Sequence, residues 1–221
     1  MKRKKAQMSK LTNKKAVVLF SGGLDSTVCL YWAINKGYNC EILSFDYGQK
    51  HKREILSVKK IAKKLNLKPN IIKLNLPWLK VSSLVDKCKK LPISARAEIG
   101  KKLSIPSTYV PARNLMFASI AVSFAESIGA EAIVLGPNVL DYSGYPDCRP
   151  KFYEQLSKAV AQGCERKVKI LTPIIKLSKS EIVKLGKKLK APVEDTWSCY
   201  AGGIKPCGKC DSCKLREKGF E

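Results

Sequence analysis

Ala16-Val17-Val18-Leu19-Phe20-Ser21-Gly22-Gly23-Leu24-Asp25-Ser26 is the stretch from which the rest of the chain is read. Its first five residues are apolar and two are β-branched, which predicts a strand buried on both faces, as in a parallel sheet. Two glycines end the strand. Beyond them, Asp25 to Lys36 carries Val28, Cys29, Trp32 and Ala33 at helical spacing, and Gly37 supplies a stop. Strand, glycine turn and helix start together form a cradle for phosphate. Residues without Cβ let backbone approach an oxyanion, and free N–H groups plus the positive end of the helix dipole stabilise its charge. Ser21 and Ser26 add hydroxyls. The spacing is too short for a Walker loop, no Lys follows the second glycine, and the pattern is not GxGxxG.

The SGGxDS form resembles the PP-loop of the ATP pyrophosphatases, which implies cleavage of ATP between its α and β phosphates. On that resemblance Phe20, Ser21, Gly22, Gly23, Leu24, Asp25, Ser26 and Thr27 are the candidate ATP contacts. Further along, Cys40 to Phe45 predicts a second strand running into Asp46-Tyr47-Gly48-Gln49. Lys50 to Leu65 predicts an amphipathic helix, with Ile55, Val58, Ile61, Ala62 and Leu65 on one face and Lys on the other. Asn70 to Leu74 predicts a third strand. The resulting βαβαβ half is the doubly wound pattern, in which ligands sit beyond the carboxyl ends of strands. Ser21 to Asp25 and Asp46 to Gln49 both fall there, so Asp46 joins the nucleotide-binding candidates.

Residues 76 to 112 break this rhythm with four prolines and little periodicity. A loop of that length inside a compact domain is a functional signal. It ends in Ile105-Pro106-Ser107-Thr108-Tyr109-Val110-Pro111-Ala112-Arg113-Asn114, which is not the composition of disorder and reads as a shaped wall of the site. A helix follows to Ile128, and Glu131 to Gly136 predicts a fourth strand. The strand leads into another polar cluster, Asp141-Tyr142-Ser143-Gly144-Tyr145-Pro146-Asp147-Cys148-Arg149-Pro150. Phe152 to Gln162 predicts a helix and Val168 to Leu171 a short last strand. Ser178-Lys179-Ser180-Glu181 is a capping box for a helix reaching Lys190.

The 221 residues fit one α/β domain with a small appendage. Three segments are expected: a basic disordered tail over 1–15, the α/β domain over 16–190, and a cysteine-bearing segment over 191–221. The net charge is +24, but the 42 basic residues are 35 Lys and 7 Arg. Recognition surfaces favour the planar fork of Arg, so the excess reads as a solvated lysine surface more than a nucleic-acid footprint. The tail resembles the start of a signal peptide, but the apolar run behind it is too short for one. Glu126 and Glu131 interrupt the most apolar stretch, Asn114 to Gly136, so no membrane span is expected and the cytoplasm is the expected compartment.

Nine cysteines could suggest disulfides, but the expected cytosolic setting argues against them. Cys207, Cys210 and Cys213 stand at i, i+3 and i+6, with Cys199 eight residues upstream of the first. Four thiolates close a tetrahedral Zn2+ site with no vacancy for water, so the expected metal is structural; an iron–sulfur cluster is the alternative that thiolates also suit. The only histidine, His51, sits at a predicted helix start and reads as a surface or cap residue.

With these segments in place, the chain from Ala16 to Phe220 resembles the 7-cyano-7-deazaguanine synthase family of queuosine biosynthesis. The resemblance is carried by SGGLDST at Ser21 to Thr27, SFDYGQKH at Ser44 to His51, IPSTYVPARN at Ile105 to Asn114 and DYSGYPDCRP at Asp141 to Pro150. TWSCY at Thr196 to Tyr200, CGKCDSC at Cys207 to Cys213 and a closing LREKGF complete it. It implies a ligase that joins 7-carboxy-7-deazaguanine and ammonia into the nitrile, consuming ATP with Mg2+ to AMP and diphosphate. Under it, Asp25 is the candidate to orient Mg2+, and Arg113 and Arg149 are candidates to pair with carboxylate or phosphate oxygens. Asp141 or Asp147 would accept from the guanine-like N–H groups, and Tyr109, Tyr142 or Tyr145 would stack on the ring. Asp25 and Arg113 carry the catalytic expectation. Two departures stand out: Lys151 replaces the usual acidic residue, and Gly163-Cys164-Glu165 replaces a usual Gly-Thr-Lys.

Three other readings compete. A PP-loop enzyme acting directly on tRNA would suit the charge, although 221 residues leave little room for an RNA-binding domain. A ligase of the same kind acting on another carboxylate is compatible with Lys151. A non-catalytic zinc-ribbon module is opposed by the intact glycine loop. The expected partners are small molecules, and a homodimer is compatible with the sequence.

Overall fold

The computed structural model describes residues 14–50, 53–86, 88–91, 105–140 and 145–221. His51, Asp141, Tyr142 and all but two residues of the basic tail lie outside them. Five strands, β1 (Lys15–Leu19), β2 (Asn39–Asp46), β3 (Pro69–Lys73), β4 (Ala132–Val134) and β5 (Lys169–Leu171), form one sheet. Its order is β3-β2-β1-β4-β5 and every pairing is parallel. Helices α1 (Leu24–Asn35), α2 (Arg53–Lys64), α3 (Arg113–Ser127), α4 (Pro150–Gly163), α5 (Lys179–Lys188) and α6 (Asp211–Phe220) surround it.

The alternation of side chains along each strand sorts the core into two layers. Ala16, Val18, Ile42, Ala132 and Val134 face one way, against Val28 and Leu30 of α1, Val58 and Ile61 of α2, and Ile182 and Val183 of α5. Val17, Leu43, Phe45 and Ile133 face the other way, against Ala118, Ala121, Val122 and Ala125 of α3 and Tyr153, Leu156 and Val160 of α4. Strands covered on both faces explain the unbroken apolar run at Ala16–Phe20. Each fully buried Val, Leu or Ile contributes roughly 1.5–3 kcal/mol relative to exposure, so this two-sided sheet is the main store of stability.

Chain order reverses between β1 and β4, the place where an open parallel sheet splits to leave a crevice at its carboxyl edge. β1 ends at Leu19, just before Ser21, and β2 at Asp46, held level by the Phe20 N–H donating to the Leu43 carbonyl at 2.8 Å. The capping box at α5 is formed: the Glu181 N–H donates to Ser178 Oγ at 3.3 Å and the Ser178 N–H to Glu181 Oε2 at 2.7 Å. Among the described residues no helix is long and apolar enough to cross a membrane.

The closing segment holds α6, which sequence periodicity did not predict. The helix begins at the metal-type cysteines and returns to the domain, where Phe220 packs on the α1–α5 layer. Its Gly219 fits so closely that a Cβ there would stand 2.6 Å from Lys179 Cγ. Cations of Lys187 and Arg216 lie over the Phe220 ring.

Candidate active site

A cleft of about 300 Å³ opens at the carboxyl edge of the sheet. It is lined by the Ser21–Ser26 corner, the ends of β2 and β4, the Thr108–Asn114 segment, the Tyr145–Tyr153 segment and part of the closing segment.

The corner is shaped by its glycines. Gly22 takes φ +79°, a region costly for residues with Cβ, and a Cβ there would stand 2.6 Å from the Glu54 carbonyl and 2.8 Å from the Val58 nitrogen. Gly23 is the N-cap of α1, and no side chain caps that helix, so its first N–H groups lack a side-chain acceptor, while Asp25 is the acidic residue of that turn. Ser26 is buried and Ser21 is exposed above it. Their hydroxyls lie 3.1 Å apart, Ser26 Oγ accepts from the Ser21 N–H at 3.2 Å, and Thr27 Oγ1 donates to the Gly23 carbonyl at 2.8 Å. Phe20 is buried beneath the corner and Leu24 packs into the core. Gly136, at the end of β4, makes room for the corner: a Cβ would lie 3.3 Å from the Ser26 nitrogen.

Asp25 projects beside the corner, with both carboxylate oxygens bonded to Lys179 Nζ at 2.8 and 2.9 Å. Lys179 is the first residue of α5 and sits there because Ser178 caps the helix. Sequence reading assigned Lys179 only to a capping box; nothing local showed that its ammonium crosses to Asp25.

A second group of side chains gathers around Arg113 at the start of α3. Arg113 Nη1 donates to Tyr47 Oη at 3.3 Å. Burial opposes the guanidinium charge, but the Tyr47 phenol, with Cys148 and Asp147 behind it, more than offsets that cost, and Arg113 stays cationic. Burial likewise raises the Tyr47 hydroxyl, with Arg113 pulling against it. Phe117 stacks on Phe45 at 4.0 Å and meets Tyr47 edge-on, fixing the end of β2. Gln49 binds back to the same strand end through the Tyr47 N–H and the Phe45 carbonyl.

Asp147 is buried and its Oδ2 accepts from the Asn114 N–H at 3.0 Å, so it caps α3 from a different segment. Asn114 Nδ2 returns a bond to the Asp147 carbonyl at 3.1 Å. Thr108 Oγ1 and Tyr145 Oη are 2.6 Å apart, and the rings of Tyr109 and Tyr145 lie 5.6 Å apart. Tyr109 Oη accepts from the Ala112 N–H at 3.0 Å. Tyr153 enters the same wall from α4; burial, reinforced by Cys148 and Asp147 and opposed by Arg113, pushes its hydroxyl far above the ordinary tyrosine range.

The structure thus brings Phe20, Ser21, Gly23 to Ser26, Tyr109, Arg113, Tyr145 and Asp147 to one cleft. Four candidates do not line it: Gly22 is buried within the corner, Thr27 is buried with its hydroxyl on the Gly23 carbonyl, Asp46 accepts from the Gly48 N–H at 3.4 Å, and Arg149 is exposed at the N-cap of α4. Asp141 lies outside the described residues. Tyr47, Tyr153 and Lys179 are among the cleft residues to which motif reading gave no role.

The four cysteines of the closing segment converge on one another. The sulfurs of Cys199, Cys207, Cys210 and Cys213 all lie within 4.8 Å of one another, with Cys207 and Cys213 at 4.0 Å. A tetrahedral zinc with bonds of about 2.3 Å separates its sulfurs by roughly 3.8 Å, so the donor set fits a metal. Burial works against a charged Cys207, but N–H groups of Cys210 and Lys209, with Cys199, outweigh it and bring the thiol to about 6. Cys213 is driven the other way by burial and by Cys210. Opposite shifts in one cluster are what unshielded thiolates produce, and a bound cation relieves the repulsion. The segment also touches the corner, where the Trp197 N–H donates to the Gly22 carbonyl at 3.0 Å, and it is tied within itself by Arg216 Nη2 donating to the Val193 carbonyl at 2.8 Å.

A family described as queuosine biosynthesis protein QueC matches residues 15–221. A 7-cyano-7-deazaguanine synthase of Leptospira interrogans is 49% identical over 216 residues, covering 95% of this chain and 88% of its own length. One from Picrophilus torridus is 49% identical over 210 residues, covering 93% and 87%. Among solved structures, a 4-thiouridine synthetase in complex with RNA and ATP superposes with a TM-score of 0.52 at 22% identity, covering 94% of this chain and 53% of that one, a likeness of fold.

Proposed function

The chain belongs to the QueC family of queuosine biosynthesis proteins, and from that premise we propose how its cleft performs the family's ligase reaction. The enzyme converts 7-carboxy-7-deazaguanine and ammonia into 7-cyano-7-deazaguanine at the expense of ATP. The observation that carries this reading is the Gly22–Gly23 corner, whose unblocked helix start faces the same cleft as the Arg113 wall.

A carboxylate is a poor electrophile. Its oxygen attacks the α-phosphorus of ATP, the bond to the β-phosphate oxygen breaks, and diphosphate leaves. Ammonia then adds to the acyl carbon and AMP departs, giving the amide and releasing a proton. The amide oxygen then attacks the α-phosphorus of a second ATP, diphosphate leaves and nitrogen gives up one proton; loss of AMP with the remaining nitrogen proton forms the nitrile.

In each adenylation, negative charge grows on the departing diphosphate. Backbone N–H groups at the start of α1 stabilise it, an effect of a kind often worth about 3–4 kcal/mol per donor in mutagenesis. Lys179 adds a cation beside the corner and is itself held by Asp25. Magnesium, when bound with ATP, neutralises phosphate oxygens, and Asp25 is the residue that would hold it. Arg113 pairs with the carboxylate to be activated, and the Tyr109–Tyr145 wall flanks the ring. Zinc is the metal assigned to the four thiolates, on the strength of the full sulfur shell.

The test is to incubate the purified protein with 7-carboxy-7-deazaguanine, ammonium and ATP and to measure nitrile, AMP and bound metal. Nitrile, AMP and one zinc per chain are expected. Formation of ADP, or dependence on added tRNA, overturns the reaction; iron in place of zinc overturns the metal.

A further inference from the structure

After proline, glycine is the least favourable residue inside a helix, so a buried one near the end of α6 needs a reason. Gly219 is that residue. It does not take a positive φ, so conformational freedom is not what it supplies. Space is. A Cβ at Gly219 would stand 2.6 Å from Lys179 Cγ, 3.2 Å from the Lys179 carbonyl oxygen and 3.3 Å from the carbonyl carbon. Two of those atoms are backbone, and Cγ lies too near the main chain to clear without turning the whole side chain to another rotamer.

The side chain that α6 covers in this way ends at the cleft. Lys179 is 12% exposed, and its ammonium lies 2.8 and 2.9 Å from the two oxygens of Asp25, a residue that lines the cleft with it. A lysine stem has four rotatable bonds, and packing along it removes that freedom before any ligand arrives. The covering helix is itself held at both ends. Cys210 caps it and Cys213 lies in its first turn, both within the thiol cluster. Phe220, next to Gly219, packs on the α1–α5 layer with the Lys187 and Arg216 cations over its ring.

We propose that Gly219 is a positioning residue for the phosphate end of the site. With no side chain of its own, it lets α6 close on the Lys179 stem and hold the ammonium on Asp25, beside the glycine corner. The inference rests on the functional reading above, in which Lys179 is a cation for the departing diphosphate. It adds a residue that does not line the cleft yet sets where that cation stands. Gly219 acts through Lys179 alone and leaves the heterocycle's end of the cleft untouched.

The test reads binding of ATP with Mg2+ by calorimetry, without the heterocycle, so it does not depend on nitrile formation. Gly219→Ala should weaken ATP about 5- to 50-fold, the order of loss that a misplaced group produces. Lys179→Met, which keeps an unbranched stem and removes the ammonium, should weaken it at least as much. In the Lys179→Met background, Gly219→Ala should add less than about twofold, because no ammonium remains to be misplaced. In turnover, Gly219→Ala should leave KM for 7-carboxy-7-deazaguanine within about twofold of wild type. An ATP affinity within about threefold of wild type in Gly219→Ala overturns the proposal. So do effects that multiply in the double variant, since Gly219 would then act apart from Lys179. Should Gly219→Ala fail to fold, Phe220→Ala decides instead: it frees the end of α6 without crowding Lys179. It should weaken ATP about 3- to 10-fold alone and not at all in the Lys179→Met background, and an unchanged affinity overturns the proposal. If wild type binds ATP but makes no nitrile, the reaction fails as a reading and the binding comparison still decides the role of Gly219.

Discussion

At the phosphate corner, the groups that face the cleft come from one short run of consecutive residues, Ser21 to Ser26, and most of them are backbone. At the aromatic wall, Tyr47, Thr108, Arg113, Tyr145, Asp147 and Tyr153 come from three separate stretches and act through side chains. The corner's hydroxyls are spent on one another, whereas the wall's polar groups are paired across segments, as in Arg113 to Tyr47 and Asn114 to Asp147. A site made of backbone depends on the absence of Cβ atoms. A site made of side chains depends on the register between segments, and single substitutions there should cost less and act more selectively.

The sharpest way to break this contrast is at Gly22. Gly22→Ala would place a Cβ 2.6 Å from backbone while holding φ at +79°, a combination that costs at least about 2 kcal/mol. Turnover should fall by more than about 100-fold and ATP binding with it. Gly23→Ala should be milder, because its Cβ would meet only Ser21 Oγ at 3.3 Å and the Trp197 carbonyl at 3.5 Å. Equal losses in the two variants, measured by ATP titration and melting temperature, would show that backbone shape does not govern the corner.

A substitution in the wall should give an intermediate effect. Asp147→Ala leaves the Asn114 N–H at the start of α3 without its acceptor, at a cost of roughly 1–3 kcal/mol. Because Arg113 is the adjacent residue, KM for the carboxylate should rise about tenfold while KM for ATP holds. Asp147→Asn, which keeps an acceptor oxygen, should recover most of the stability. If KM for ATP rises as much as KM for the acid, the two ends of the cleft are not separable.

Legibility in the sequence follows the same division. The strand, the glycine corner and α1 are contiguous, so apolar run, turn and helical period could be read together at Ala16–Lys36. The parallel sheet followed from the repetition of that pattern, and the capping box at Ser178 from a local motif. Arg113 and Tyr145 could be named from their composition-rich segments. Lys179 could not, because its meeting with Asp25 depends on α5 packing beside α1, which no local spacing encodes. Tyr153 was hidden for a different reason: at the start of an ordinary amphipathic helix it reads as core, and only its unpaired oxygen sets it apart. Helix α6 escaped because its sequence is mostly polar and glycine precedes Phe220, so its few buried positions give no clear period.

The smallest effect expected tests whether the corner is self-sufficient or is steadied by the closing segment. Asp195 accepts from Lys60 at 2.7 Å and from Lys64, tying that segment to α2 two residues before Trp197 meets Gly22. The bonds from Lys60 and then Lys64 lower the Asp195 carboxyl below its ordinary value of 3.8. A depressed folded-state value means that the pairing stabilises the protein fully above the unfolded carboxyl's range and is lost as pH falls through the folded one. Both lysines are about half exposed, so solvent screens the pairs and the gain is small. Asp195→Asn should therefore lower the melting temperature by about 1–3 °C at pH 7, with the difference shrinking as pH falls through the carboxyl's depressed range. If the corner holds its own shape, KM for ATP is the same in both proteins. A rise of threefold or more would mean that the hydrogen bond from Trp197 to Gly22 is set from the closing segment, and that the backbone site borrows its geometry from side chains after all.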